Sequence, residues 1–368
     1  MPDEIDLLGR MVAIPSVSGQ EETLAVFTEA TAHHLGLRVR RDDLAVTVEV
    51  PGRAPGPTLA LVSHLDVVPP GEGWTRDPFT PTVEGTRLYG RGSGDAKASV
   101  AAMLCAAADV AARGGPARGR LLVLLGYGEE TRHTTMERAV EMAGGIEAAL
   151  VGEPTNLDFA VAQRGLMMVD LLAEGDQRHA GYAAADGEFR NAALVLARDL
   201  LKLDGLFDGR SHPVLGHTTA TPTMLDAGVS RNVTPPLARA VLDVRSTPDW
   251  THDEVADLLR RSLTSNVVVT SERLVPCETP RGSRLLAAAR RVRPRSKTFG
   301  SPTCSDWVFL RHADAVKCGP GTSRRSHTPD EYVDLPEVTA ARAFYAEVVL
   351  AYLTEGDVDP VDEPAHAR

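Results

Sequence analysis

RLLVLLGYGEETR (residues 120–132) is a run of leucine and valine that breaks at a glycine turn and then sets two acids side by side, Glu129 and Glu130. A short apolar run with no polar break reads as a strand buried on both faces. Acids just beyond such a strand are either solvated turn residues or ligands. The pattern recurs. TLALVSHLD (58–66) ends in His64 and Asp66, and EAALVGEP (147–154) ends in Glu153. ADAVKCGPGTSRRSHTPDE (313–331) is a short run, a glycine-proline turn, then His327. Helical patterns lie between these runs, at 21–36, 98–114 and 134–145. Strands alternating with helices imply a parallel sheet in an α/β layer architecture. Sites in such sheets form beyond the carboxyl ends of the strands. Side chains far apart in sequence can therefore converge there.

YGRGSGDAKASVAAML (89–104) adds Asp95, after a glycine-rich turn and before an alanine-rich helix. The glycines and Lys97 invite comparison with a phosphate-binding loop. The glycine-to-lysine spacing differs, however, and an acid sits where an anion would be repelled. The collected groups are two histidines, His64 and His327, and four carboxylates, Asp95, Glu129, Glu130 and Glu153. Imidazole and carboxylate suit Zn²⁺ and similar divalent metals. Two such metals, roughly 3.5–4 Å apart, need an acid that bridges them. Hydrolysis also needs a carboxylate left unliganded to take a proton from water. Spacing alone leaves other readings open. His64 could be a core histidine bonded to Asp66, Glu153 could cap the turn before Pro154, and His327 could be a surface residue.

Composition bounds the rest. The 368 residues leave room for two domains, and 43% hydrophobic with 24% charged residues is a soluble globular profile. The net charge of −11 argues against binding nucleic acid or an acidic membrane surface. The exception is RGSRLLAAARRVRPRSK (281–297), with seven basic residues and no acid. It reads first as the exposed face of a helix burying Leu285, Leu286 and Ala289. The opening MPDEIDLLGRMVAIPS is acidic and has no apolar core of signal-peptide length. No run is long enough to span a bilayer. The four cysteines are scattered, with no C-x-x-C. A cytoplasmic location with reduced thiols is therefore expected. The acidic tail from 355 onward reads as disordered.

IPSVSGQEE, SHLDVVPPG, GRGSGDAKA, GEET, VGEPT, NVTP and GPGTSRRSHTPDEYV occur in this order across nearly the whole chain. Together they resemble the metallo-aminoacylase and exopeptidase family that includes acetylornithine deacetylase, succinyl-diaminopimelate desuccinylase and the glutamate carboxypeptidases. Within it, the ending GPG…SHTPDEYV and the SPTCSD loop look most like the acetylornithine-type deacylases. The resemblance implies an α/β catalytic domain of zinc-exopeptidase type, with a mixed, mostly parallel sheet flanked by helices. This domain would span 1–165 and 275–368. An inserted α+β lid that dimerises would span 166–274, with an antiparallel sheet and a helix near 190–203.

The resemblance also implies roles. His64 and Glu153 bind one metal, Glu130 and His327 the other, and Asp95 bridges them. Asp66 orients His64, and Glu129 is the general base on a metal-bridging water. The bond Asp95–Ala96 is expected to be cis. His179, in RHAGYAA, matches the lid histidine that reaches the partner subunit's active site and holds the scissile carbonyl oxygen. Asn232 and Arg245 match residues around the substrate carboxylate, and Thr303, Ser305 and Gly321 are further substrate contacts. The implied cofactors are two divalent ions, Zn²⁺ or alternatively Co²⁺. The implied activity removes a small acyl group from an N-acyl amino acid, in arginine or lysine biosynthesis. Release of lysine or ornithine from an acidic amino-group carrier protein is an alternative, for which the basic 281–297 segment supplies a motive. A dipeptidase or carboxypeptidase is another, and a non-catalytic metal-binding scaffold is the reading from a different class. Ala98, the Ala-Gly-Tyr after His179 and the loop GSPTCSDW (300–307) depart from the common family pattern. They leave substrate preference open and remove no ligand.

Overall fold

A computed structural model describes residues 3–131, 133–182 and 189–354. The acidic tail from 355 and part of the RHAGYAA segment lie outside the described residues. The chain forms two compact units. One comprises Met1–Val161, Thr279–Phe299 and Ser305–Arg368, the other Ala162–Glu278 and Gly300–Cys304.

The first unit is built on a mixed sheet. Its strands run in the order Arg38–Arg41, Ala45–Pro51, Arg120–Gly126, Thr58–His64, Ala148–Val151, Asp314–Lys317 and Phe159–Gln163. The four strands from Arg120–Gly126 to Asp314–Lys317 pair in parallel. Arg38–Arg41 with Ala45–Pro51, Ala45–Pro51 with Arg120–Gly126, and Asp314–Lys317 with Phe159–Gln163 pair antiparallel. Thr58–His64 is buried at every position, and so is Leu121–Gly126. This is why both segments read as unbroken apolar runs: neither face meets water.

Register carries the chemistry to one place. His64 pairs with Gly126, and Val62 with Val151. Two residues beyond the latter pair on each strand stand His64 and Glu153. Gly126 is likewise followed by the turn that holds Glu129 and Glu130.

The helix Lys97–Ala112 is buried almost all round and packs against Glu4–Val12 and Leu335–Thr354. Its alanines allow this close approach. The nearest point is Gly152, where an added Cβ would stand 2.3 Å from Met103 Cε and 2.9 Å from Ser99 Cβ. A side chain there would push the helix off the strand end just before Glu153. The helix Arg284–Val292 buries Leu285, Ala288 and Ala289 and leaves Leu286 half-buried. Its apolar face is the expected one, widened by Ala288, with Leu286 packed at its margin.

The second unit is a four-stranded antiparallel sheet in the order Thr219–Ala227, Leu237–Arg245, Leu166–Glu174 and Asn266–Leu274. Leu166–Glu174 alternates strictly, burying Met167, Val169, Leu171 and Ala173. These pack with the buried faces of helices Ala192–Leu201 and His252–Ser262. Asn191 caps the first helix, and a Thr251–Glu254 capping box starts the second. Among the described residues, no helix is long and apolar enough to cross a membrane.

Candidate metal centre

Four strand ends and one glycine-rich loop of the first unit bring six side chains together. His64 Nε2 lies 3.3 Å from Asp95 Oδ1 and 3.8 Å from Glu153 Oε1. His327 Nε2 lies 2.9 Å from Glu130 Oε2 and 3.8 Å from Asp95 Oδ2. The two oxygens of Asp95 thus face different partners. Oδ1 faces His64, which also stands near Glu153, and Oδ2 faces His327, which also meets Glu130. Glu129 stands outside both groups, and its carboxylate lies instead beside His133 and Asp306. Adjacent acids therefore serve different neighbours, because a turn directs consecutive side chains to different sides.

Asp66 organises this arrangement from underneath. His64 Nδ1 is 3.0 Å from the Asp66 carbonyl oxygen and 3.4 Å from Oδ1. Both are acceptors, so Nδ1 carries the proton and Nε2 is turned into the site. The same carboxylate accepts hydrogen bonds from the backbone N–H groups of Glu129 and Glu130, each at 3.0 Å. It also accepts one from the Ser18 hydroxyl at 2.7 Å. Glu21 accepts a bond from the Gly128 N–H at 3.1 Å. The IPSVSGQEE segment thus holds the turn that carries the two glutamates.

A second support lies under Asp95. Glu331 is fully buried and accepts bonds from Gly92 N (3.1 Å), Gly94 N (2.9 Å) and Asp95 N (3.0 Å). Its charge is paired with buried Arg91 at 2.6 Å. Lys97 is also fully buried and donates to the carbonyls of Met11 and Ile14. Burial pushes its pKa down to about 7. The Asp95–Ala96 peptide bond is cis.

The electrostatics call for positive charge. Burial first, then the neighbouring Asp95 carboxylate, push Glu153 up to about 8. Burial and the same neighbour raise Glu130, and burial with Glu153 and Asp306 raises Glu129 well above the ordinary range. Among the described residues, buried His64 Nε2 and Asp95 Oδ1 have no well-formed hydrogen bond. Unmatched buried polar atoms are costly unless something else takes their lone pairs. Two imidazoles, two glutamates and a shared aspartate offer the donor types that divalent metals take. The residues present therefore fit two cations sharing Asp95.

Gly321 packs beside Gly94 and Pro154, the neighbours of Asp95 and Glu153. It adopts φ +82°, and its N–H donates to Glu337. Ser305 is buried at the start of the turn Asp306–Leu310. His179, Asn232, Arg245 and Thr303 belong to the second unit. His179 is exposed, with Nδ1 accepting from Gly181 N. Asn232 is exposed and bonded to the Ser230 hydroxyl. Arg245 places Nε and Nη2 on the two oxygens of Asp243. Thr303 is exposed beside Ser301. Sequence reasoning missed Arg91, His133, Asp306 and Glu331. Glu331 lay within the quoted SHTPDEYV segment, but no spacing there marks it as a support.

The profile of peptidase family M20/M25/M40 matches residues 60–351, a span that contains all six side chains. A succinyl-diaminopimelate desuccinylase from Rhizorhabdus wittichii is 30% identical over 385 residues, covering 96% of this chain and 99% of its own. Aminopeptidase PepT from Bacillus cereus superposes with a TM-score of 0.79 at 18% identity, over 95% of this chain and 98% of its own. The Bacillus subtilis YXEP protein, described as a dinuclear metal-binding peptidase of the M20 family, superposes at 0.74 with 17% identity, over 95% and 97%. At those identities the two structures speak for the fold, and the profile and the desuccinylase speak for descent. The chain belongs to peptidase family M20/M25/M40 and is a hydrolase of amide bonds.

Proposed function

We propose that the chain removes a small acyl group from the amine of an N-acyl amino acid, with Glu129 as general base. The observation that carries this is the split of the two adjacent acids: Glu130 lies with His327 and Asp95, and Glu129 lies outside both donor groups. Names of relatives favour a succinyl-diaminopimelate type of substrate. The SPTCSD loop and the GPG…SHTPDEYV ending favour an acetylornithine type. Both are acylated amino acids with a free carboxylate.

Bound at these positions, two divalent ions, Zn²⁺ or alternatively Co²⁺, would polarise the amide carbonyl and make water more acidic. Glu129 takes a proton from the attacking water and returns it to the leaving amine. Burial raises its affinity for that proton, which suits a base. Asp66 holds the Glu129 backbone and the His64 ring in register for this exchange.

His179 supplies the oxyanion donor from the partner subunit of a homodimer. The strand Thr219–Ala227, exposed at every position but Ala220, lies at the edge of the second sheet, and an open edge of this kind can pair with a second copy. Arg245 and Asn232 hold the substrate carboxylate. Asp243 engages Arg245 Nε and one N–H of Nη2, which leaves the other Nη2 N–H and the Nη1 group to face a carboxylate. Docking of an acidic amino-group carrier on the basic Arg284–Val292 helix is the second reading, favoured by the charge of that segment.

The test is a side-by-side panel with metal-loaded protein. It contains N-succinyl-diaminopimelate, acetylornithine, succinylornithine, acetyllysine, acetylcitrulline, a carrier-linked lysine and several dipeptides. Preference for an acyl-amino acid supports the proposal. Preference for dipeptides would move the reading to a peptidase.

A further inference from the structure

Glu129, His133 and Asp306 form a second cluster of potential ligands, outside the centre just described. All three are buried, at 7%, 9% and 3% exposure. His133 Nδ1 lies 3.0 Å from Asp306 Oδ1 and 3.7 Å from Glu129 Oε1. A tetrahedral ion with bonds of about 2.0–2.2 Å holds its donor atoms roughly 3.3–3.6 Å apart. The two distances straddle that value. They also match the spacing of the first centre, where His64 stands 3.3 and 3.8 Å from its two carboxylates.

The backbone places these groups deliberately. His133 caps the helix Thr134–Ala143 with φ +50°, a region that side chains other than glycine seldom adopt. Its N–H is bonded to the Gly128 carbonyl at 2.9 Å, which folds the turn back over Glu129. Asp306 arrives from a segment far along the chain, at the start of the short turn Asp306–Leu310. One imidazole and two carboxylates, one of them from a distant strand end, are converged on a single point from which water is largely excluded.

We propose that this cluster is an inhibitory site for a third divalent cation. The ion would bind Nδ1 of His133, Oδ1 of Asp306 and Oε1 of Glu129. On binding, His133 gives up the proton on Nδ1 and remains a neutral imidazole protonated on Nε2, as metal capture by imidazole requires. The lone pair that Glu129 offers to a water proton is then held by the ion. Hydrolysis stops, although the first two metals stay in place. The inhibition rests on Glu129 being the base, and the binding does not.

The experiment uses wild-type protein holding two equivalents of Zn²⁺, dialysed against rising free Zn²⁺. Metal per chain and turnover of an N-succinyl amino acid are measured together. A third equivalent should bind, and turnover should fall at least tenfold in step with it. His133→Phe and Asp306→Asn should each retain two equivalents, lose the third and escape the inhibition. Retention of two equivalents shows that the variants are folded. In crystals of wild-type protein at high Zn²⁺, anomalous scattering at the zinc edge should place a peak in bonding contact with His133 Nδ1. Stoichiometry that stops at two, a third equivalent that persists in both variants, or a peak elsewhere overturns the proposal. A third equivalent that vanishes in the variants but leaves wild-type turnover unchanged upholds the site and overturns its inhibitory role, and with it Glu129 as the base.

Discussion

Replacing Glu331 by Gln should cost more than its distance from the ligand atoms suggests. The Glu331 carboxylate is fully buried and answers four donors: Oε2 takes Arg91 Nη1 and Gly92 N, and Oε1 takes Gly94 N and Asp95 N. Glutamine has the same shape but replaces one oxygen by a donor. Whichever way the amide is turned, two of the four donors meet an N–H₂ group. In either orientation Arg91, itself 1% exposed, is left as an uncompensated buried charge, and if they are the first pair it loses its hydrogen bond as well. Breaking one side of a buried ion pair costs about 3–5 kcal/mol. An unanswered buried N–H adds about 1–3 kcal/mol. Relaxation and entering water offset part of this, so the net loss should be about 3–5 kcal/mol. Urea unfolding of metal-free protein measures it. The loop also loses its hold on the Asp95 backbone, and supports of this kind are worth about 10–100-fold in metal affinity. Equilibrium dialysis reads that directly. A double change, Arg91→Met with Glu331→Met, should recover part of the stability, because no charge is left stranded. A loss under about 1 kcal/mol for Glu331→Gln, with unchanged metal affinity, would refute the reasoning.

The remaining expectations concern the acids and the second unit. Glu129→Gln should lower turnover by roughly 10²–10⁴ while both metals stay bound, whereas Glu130→Gln should lose metal as well; equal metal loss in both would mean the roles are misassigned. Burial would raise the pKa of Asp66, but its bonds with His64, Ser18 and the Glu130 N–H outweigh this and hold it at about 2. A lowered folded-state pKa contributes stability that is present above the ordinary carboxylate value and disappears as pH falls through about 2. In metal-free protein Asp66→Asn should therefore cost about 2 kcal/mol at neutral pH and flatten the acid limb between pH of about 4 and about 2; an unchanged acid limb would count against the network. If His179 acts across a dimer, mixing His179→Ala chains with Glu129→Gln chains should restore up to about a quarter of wild-type activity, because half the pairs are mixed and each has one working site. No recovery, with subunit exchange confirmed by mass-tagged chains, would confine His179 to its own subunit or remove it from catalysis.

The amino-acid sequence by itself determined the central strands, the helices between them and the positions where ligands stand. Strands buried on both faces, such as Thr58–His64 and Leu121–Gly126, carry apolar residues through their middles, so they show as apolar runs. Their ends show because the polarity changes abruptly there. The edge strand Arg38–Arg41 leaves no such mark, since none of its positions is buried, and it pairs antiparallel. What only the tertiary structure decided is which oxygen faces which nitrogen. Asp95 turns one oxygen to His64 and the other to His327, an outcome of strand register and loop path. Arg91 with Glu331 and His133 with Asp306 are pairs from opposite ends of the chain. No local period links such residues. They are selected by the need to answer charges and backbone donors once those have been buried, and that need exists only in the folded protein.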